Sequence, residues 1–300
     1  MGSLNEKRIA WGVALFTITV WGSTFISSKV LLNVYTPCQI MLCRFLLACV
    51  ILCLLRPRRL HLTLRQELGC ILLGLTGCSL YFLTENTALT CTLASNVSII
   101  VTTAPILTAL LAHMTGEERL RKNTFIGFLT AFSGVVLVVC NGAFILRLNP
   151  RGDLLALCAA VCWACYSVLL RRLDHGLDPI LLTRRTMFWG AVTAAPLLLR
   201  EGTPFILPSS PALIGNFLYL GLVASGLCFV LWNRVVHVLG AVTANNFIYL
   251  NPFVTIVTAW LVLLEIWTNI PILRKFLLHP MCFRAGNRTL LDKFLHSPQA

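Results

Sequence analysis

The chain alternates long apolar runs with short polar links. A membrane-spanning helix needs about 20 mainly apolar residues. Nine segments meet that need: 9–32, 37–55, 68–89, 93–112, 125–146, 153–170, 185–199, 212–232 and 241–264. Several links are shorter than ten residues, so neighbouring helices run antiparallel and no link is large enough for a domain outside the membrane. The pattern predicts an all-α polytopic membrane protein. The first run is too long for a cleaved signal and no small-residue cleavage site follows it. The opening Met1-Gly-Ser-Leu-Asn-Glu6 lacks the hydroxyl residue of a myristoylation signal.

Composition removes the soluble alternatives. Apolar residues make up 57% of the chain and charged ones 12%, against about 45–50% and about 25% in soluble domains. The net charge of +13 sits in short basic clusters between apolar runs, as in cytoplasmic loops of membrane proteins, which argues against nucleic acid as a partner. Lys7 and Arg8, the group Arg56, Arg58, Arg59 and Arg65, then Arg119, Arg121 and Lys122, Arg171 and Arg172, and Arg234 fall on one side. The alternate links 33–36 and 90–92 carry no Lys or Arg. This places the N-terminus in the cytoplasm, with Arg147, Arg151 and Arg200 against the trend. The 13 cysteines lie mostly within apolar runs, where a thiol behaves as a small hydrophobe. The Cys162-x-x-Cys165 pair has no second pair or His cluster beside it, so neither a metal nor a cofactor is expected.

The strongest feature is a repeat. Residues 69–118 align without a gap on 216–265, with eleven identities in fifty positions. Asn86 meets Asn233, Pro105 meets Pro252, Thr108 meets Thr255 and Glu118 meets Glu265. At a shift of 142, Trp21 meets Trp163 and Pro37 meets Pro179; with one gap Arg44 meets Arg185. The first unit holds five spans, an odd number, so the second enters the membrane inverted. Inverted repeats are an architecture of secondary transporters, with the solute site near the midplane.

These residues resemble the EamA family of the drug/metabolite transporter superfamily: Trp21-Gly-Ser-Thr-Phe, Arg44-Phe, Pro105 with Gly116-Glu-Glu118, Gly127 and Gly134, and in the second half Trp163, Pro252 and Glu265. The resemblance covers roughly residues 10–265. It implies two inverted five-helix repeats and a secondary permease for small metabolites or drugs, with efflux coupled to protons as the expectation. It also favours a bacterial cytoplasmic membrane. The expected organisation is repeat 1 over 9–146, repeat 2 over 152–265 with four recognisable spans, and a divergent tail over 266–300. The partner of 125–146 would fall near 272–293, where Arg274, Lys275, Pro280, Arg284 and Arg288 stand. An Arg or Lys at mid-bilayer costs about 2.5–3.5 kcal/mol on insertion scales, so the tenth span is missing or divergent. A frameshift explains the abrupt change; an amphipathic tail on the membrane is the other explanation.

Glu85, in mid-span between Thr84 and Asn86, is the sharpest functional candidate, because an ionisable group at that depth is costly and marks function by default. Its repeat partner is Trp232. Asn86 and Asn233 either line a cavity or bridge helices. Asn245, Asn246, Tyr249 and Asn251 form a polar strip ahead of Pro252; Ser95, Asn96, Ser98, Thr102 and Thr103 form its counterpart ahead of Pro105. Such strips suit a polar solute or interhelical hydrogen bonds. Pro105 and Pro252 break their helices. Trp21 and Trp163 wall the pathway or anchor at the interface. Arg44 could attract a carboxylate, whereas Arg185, near a helix end, snorkels. Glu118 and Glu265 read as loop-side caps. Ala156, Ala160 and Ala164 form a small-residue face that packs inside the bundle or in a homodimer. An enzyme is not expected: the six His are scattered and no nucleophile elbow, P-loop or zinc motif appears. A lipid enzyme and a degenerate, non-transporting membrane protein are the competing readings.

Overall fold

The computed structural model describes residues 4–58, 62–117, 126–127, 129–130, 132–133, 149–173, 177–204 and 206–262. The chain divides into two compact units, Met1–Thr255 and Ile256–Ala300. The second is described only over 256–262, a stretch of helix. Among the described residues every regular element is helical.

Among the described residues, eight long helical stretches carry the fold: α1 (Leu4–Leu32), α2 (Pro37–Leu55), α3 (Leu64–Cys91), α4 (Ala94–Met114), α5 (Pro150–Leu173), α6 (Pro179–Glu201), α7 (Pro211–Leu239) and α8 (241–262). Six of them, α1 to α5 and α7, are long and apolar enough to cross a membrane. Of the expected span at 125–146 only 126–127, 129–130 and 132–133 are described, all helical; the tail at 266–300, and Glu118 and Glu265, lie outside the described residues.

Helix starts follow local chemistry. Thr36, Asp178 and Ser210 each accept a backbone N–H from the first turn, and each precedes a proline at the first helical position. A hydroxyl or carboxylate there satisfies an orphan donor, and proline has no N–H to lose. Thr36 with Gln39 and Thr63 with Gln66 form reciprocal capping boxes, as these side chains do when spaced by three. Asp178 and Pro179 start α6 six residues before the apolar pattern placed it. Arg184 and Arg185 therefore lie inside the helix. Arg184 donates to the carbonyls of Arg56 and Arg58, both at 2.7 Å.

The packing has the two-fold relation the repeat calls for. With helix n of the first repeat matched to its counterpart in the second, α2 packs on its own counterpart α6. The pair α1–α7 is mirrored by α3–α5, and the pair α2–α7 by α6–α3. The third helix of each repeat carries a π-helical segment at matching positions, Leu75–Leu80 in α3 and Tyr219–Leu227 in α7. A matched glycine, just before the first segment and within the second, lets two helices approach. A Cβ on Gly74 would lie 2.7 Å from that of Trp189, and one on Gly221 would lie 2.5 Å from that of Leu47. Trp189 and Leu47 lie on the matched helices α6 and α2.

Large apolar side chains such as Trp11, Leu46, Leu54, Phe188 and Leu218 are exposed, an unusual surface in water and an ordinary one against lipid. Ala156, Ala160 and Ala164 are fully buried within the chain. This resolves the small-residue face as internal packing and removes it as a dimer contact.

Candidate functional site

The two repeats meet in an aromatic cluster. The matched Trp21 and Trp163 rings cross edge to face with centroids 5.1 Å apart. Trp232 and Phe229 lie 5.0 and 5.3 Å from Trp21. Both indole N–H groups are satisfied inside the protein. Trp21 Nε1 donates to the Ala224 carbonyl in the π-helical segment of α7 at 3.0 Å, and Trp163 Nε1 to Asn245 Oδ1 at 2.9 Å. Both rings also line a cavity beside this cluster.

This cavity, of about 30 Å³, has room for a water in the state seen here. Three repeat-matched pairs line it: Trp21 with Trp163, Phe82 with Phe229, and Val101 with Ile248. The last pair belongs to the helix breaks. α4 is interrupted at Thr102 and Thr103 and resumes at Ala104–Met114, with Pro105 in its first turn. α8 passes through a 3-10 segment, Asn246–Leu250, before the helix that holds Pro252. Proline removes a donor and clashes with the carbonyl one turn earlier, so the breaks fall just ahead of each proline and beside the cavity.

The apolar lining is thus symmetric, whereas the polar lining is not. Thr24, Arg44, Tyr81 and Glu85 come from the first repeat and Asn251 from the second. Arg44 is 1% exposed. Its Nε donates to Ser225 Oγ at 2.8 Å and its guanidinium lies 3.8 Å above the Phe82 ring, a favourable cation–π geometry in a desolvated place. Its Nη1 is buried with no hydrogen-bond partner in the protein. Glu85 is 3% exposed and accepts the Tyr81 hydroxyl on Oε1 at 3.0 Å. No ion pair within 4.0 Å joins Arg44 to Glu85; the two side chains line one cavity without pairing. Asn251 Oδ1 is likewise buried and unpartnered.

The remaining candidates separate from this group. Asn233 accepts from Tyr166 Oη at 3.2 Å and donates to Thr183 Oγ1 at 2.8 Å, so it bridges helices. Its match Asn86 is fully buried, and neither of its side-chain polar atoms has a partner. Asn96 donates to Thr92 within its own turn at 3.2 Å. Asn246 is exposed, because the 3-10 segment turns it away and brings Ile248 and Asn251 inward; it is not a lining residue. Tyr249 lies among Ala109, Ala112, Val168 and Val242. Arg185 reaches an acid on a neighbouring helix. Its Nε donates to both oxygens of Glu67, at 2.8 and 3.1 Å, and Trp189 Nε1 donates to the same carboxylate. Position 214, the match of Glu67, is Ile214, so Arg44 has no such acid and faces the cavity. Tyr81 and Ser225 were not anticipated from the sequence. Tyr81 was within reach, since it stands four residues before Glu85 on the same helix face.

Comparisons with known proteins agree with this architecture. The model of the EamA-like transporter family matches residues 9–140 and 150–273. The first match runs well past Glu118; the second stops shortly after Glu265. The uncharacterized transporter YyaM of Bacillus subtilis is 29% identical over 277 residues, covering 87% of each chain. A probable terminal-alkyne amino-acid exporter of Streptantibioticus cattleyicolor is 28% identical, covering 88% of each. A crystal structure of a protein 21% identical superposes with a TM-score of 0.64 over 86% of this chain and 89% of its own, which shows a shared fold.

Proposed function

The chain belongs to the EamA-like transporter family, and from that premise we propose that it exports a small zwitterionic solute, an amino acid with an apolar side chain, in exchange for protons. Its relatives are named transporters, and its helices are those of a multi-pass membrane protein. The observation that carries the substrate reading is the lining of the cavity. One buried guanidinium and one buried carboxylate stand apart from each other among aromatic walls. Arg44 Nη1 binds the solute carboxylate; a guanidinium matches that geometry and charge. Glu85 receives the ammonium, and the Trp21, Trp163 and Phe229 rings enclose the apolar side chain. Neither a simple amine nor a simple acid pairs both charges. The name of the Streptantibioticus relative supports the amino-acid class.

Glu85 also supplies the coupling. A carboxylate that binds either a proton or the solute's ammonium releases one when it takes the other, so inward proton movement drives outward solute movement. The basic clusters support an N-terminus on the cytoplasmic side of the membrane. The test is counterflow in liposomes with radiolabelled L-phenylalanine, challenged with excess L-leucine, phenethylamine or phenylpropionate. L-Leucine is expected to compete and the two single-charge analogues to compete poorly. Competition by phenethylamine equal to that by L-leucine would sink the role of Arg44.

A further inference from the structure

An inverted repeat gives every contact a mirror, and a carrier that moves between two faces exchanges the conformations of its halves. A contact made in one half and unmade in the other is therefore a candidate to alternate. Some contacts are made in both halves. Lys29, at the end of α1, donates to the Thr92 carbonyl at the end of α3, at 3.1 Å. Its match Arg171, at the end of α5, donates to the His237 carbonyl at the end of α7, at 2.9 Å.

Among the contacts made in one half only, one lies beside the helix breaks. Thr255, on α8, donates its hydroxyl to the Gly22 carbonyl of α1 at 2.8 Å. The matched residues are Thr108, on α4, and Ala164, on α5. Thr108 Oγ1 is fully buried and has no partner. The made contact is also the tighter one. A Cβ on Gly22 would lie 2.6 Å from that of Val254, so only glycine admits α8 this near; the mirror site already carries the methyl of Ala164. Both threonines stand three residues after their prolines, beside the breaks that line the cavity.

We propose that Thr255 and Thr108 are positioning residues of an alternating latch. The Thr255–Gly22 bond holds α8 against α1 in the state seen here. In the opposite-facing state that bond opens and Thr108 donates to the Ala164 carbonyl, holding α4 against α5. Because glycine faces one latch and alanine the other, the two closures are unequal, and the resting protein favours the Thr255 side. This inference rests on the carrier reading, but its test needs no solute.

The experiment is hydrogen–deuterium exchange by mass spectrometry on the full chain in lipid nanodiscs, comparing wild type with Thr255→Val, Thr255→Ser, Thr108→Val and the double valine variant. Loss of one ordinary hydrogen bond changes an equilibrium about five-fold. Thr255→Val is expected to raise exchange about five-fold in 241–255 and to lower it in 94–114. Thr255→Ser should match wild type, Thr108→Val should leave the resting pattern unchanged, and the double variant should lose the protection gained in 94–114. That reciprocal change is what a merely structural threonine would not produce. Loosening of 241–255 without protection of 94–114, or loosening of both, overturns the latch. A protein that passes this test yet transports no amino acid keeps the latch and loses only the substrate assignment.

Discussion

Replacing Glu85 by Gln separates coupling from transport. The glutamine side chain has nearly the same shape and keeps an oxygen where Tyr81 donates at 3.0 Å. The site is buried, so the substitution removes the exchangeable proton while leaving the packing in place. The size of the effect follows from the stoichiometry. One proton exchanged for one solute converts each pH unit into about 1.36 kcal/mol, a tenfold accumulation ratio. The exchange of one proton for a net-neutral zwitterion moves one charge, so with the membrane potential clamped to zero by valinomycin and equal potassium, wild-type protein in liposomes with a pH difference of about 1.5 units should accumulate L-phenylalanine about 30-fold. The Gln variant keeps an oxygen that accepts from the ammonium but loses the ion pair, so it should catalyse counterflow at equal pH only with a raised half-saturating concentration, and reach an accumulation ratio near one. Melting in detergent within about 2 °C of wild type would confirm that the fold is intact. Accumulation by the variant that still rises tenfold per pH unit would refute the coupling role. Wild-type accumulation that ignores the pH gradient would transfer the coupling to another ion.

Three further outcomes are expected. Arg44→Lys keeps a positive charge but loses the forked guanidinium and its bond to Ser225; hydrogen bonds to charged groups are worth about 1.5–3 kcal/mol, so the half-saturating L-phenylalanine concentration in counterflow should rise about 10- to 150-fold. Gly74→Ala puts a methyl within 2.9 Å of the Gly190 nitrogen and the Thr186 carbonyl. Backbone atoms cannot rotate away, so stability in detergent should fall by about 1–3 kcal/mol, whereas Gly12→Ala, with open space around it, should stay within about 0.5 kcal/mol. The coding DNA beyond the Glu265 codon, translated in its other two frames, should yield about 20 apolar residues with glycines at the spacing of Gly127 and Gly134; a stop-rich or polar reading in both frames would establish residues 266–300 as a native tail.

The sequence by itself determined the helical class, the positions of the spans and the inverted duplication. Each of these rests on local composition or on comparison of the chain with itself. Pro37–Leu55 came out to the residue, because Thr36 and Pro37 mark its start and charged residues follow its end. Glu85 stood out for a similar reason: a carboxylate within a spanning apolar run is costly wherever it points. What only the tertiary structure decided is which polar side chains face one another. Arg44 and Arg185 are matched in sequence, yet one lines the cavity and the other pairs with Glu67, an acid 118 residues away. Asn86 and Asn233 are matched as well, yet Asn233 finds Tyr166 and Thr183 on neighbouring helices while Asn86 finds no partner. Asn246 shares a polar strip with Asn251 but turns outward, since a few residues of 3-10 geometry rotate the one away from the other. Successive residues on a helix point about 100° apart. A polar strip therefore does not say which of its members faces inward. That depends on helix rotation and breaks, and these are set by contacts with distant parts of the chain that no local pattern encodes.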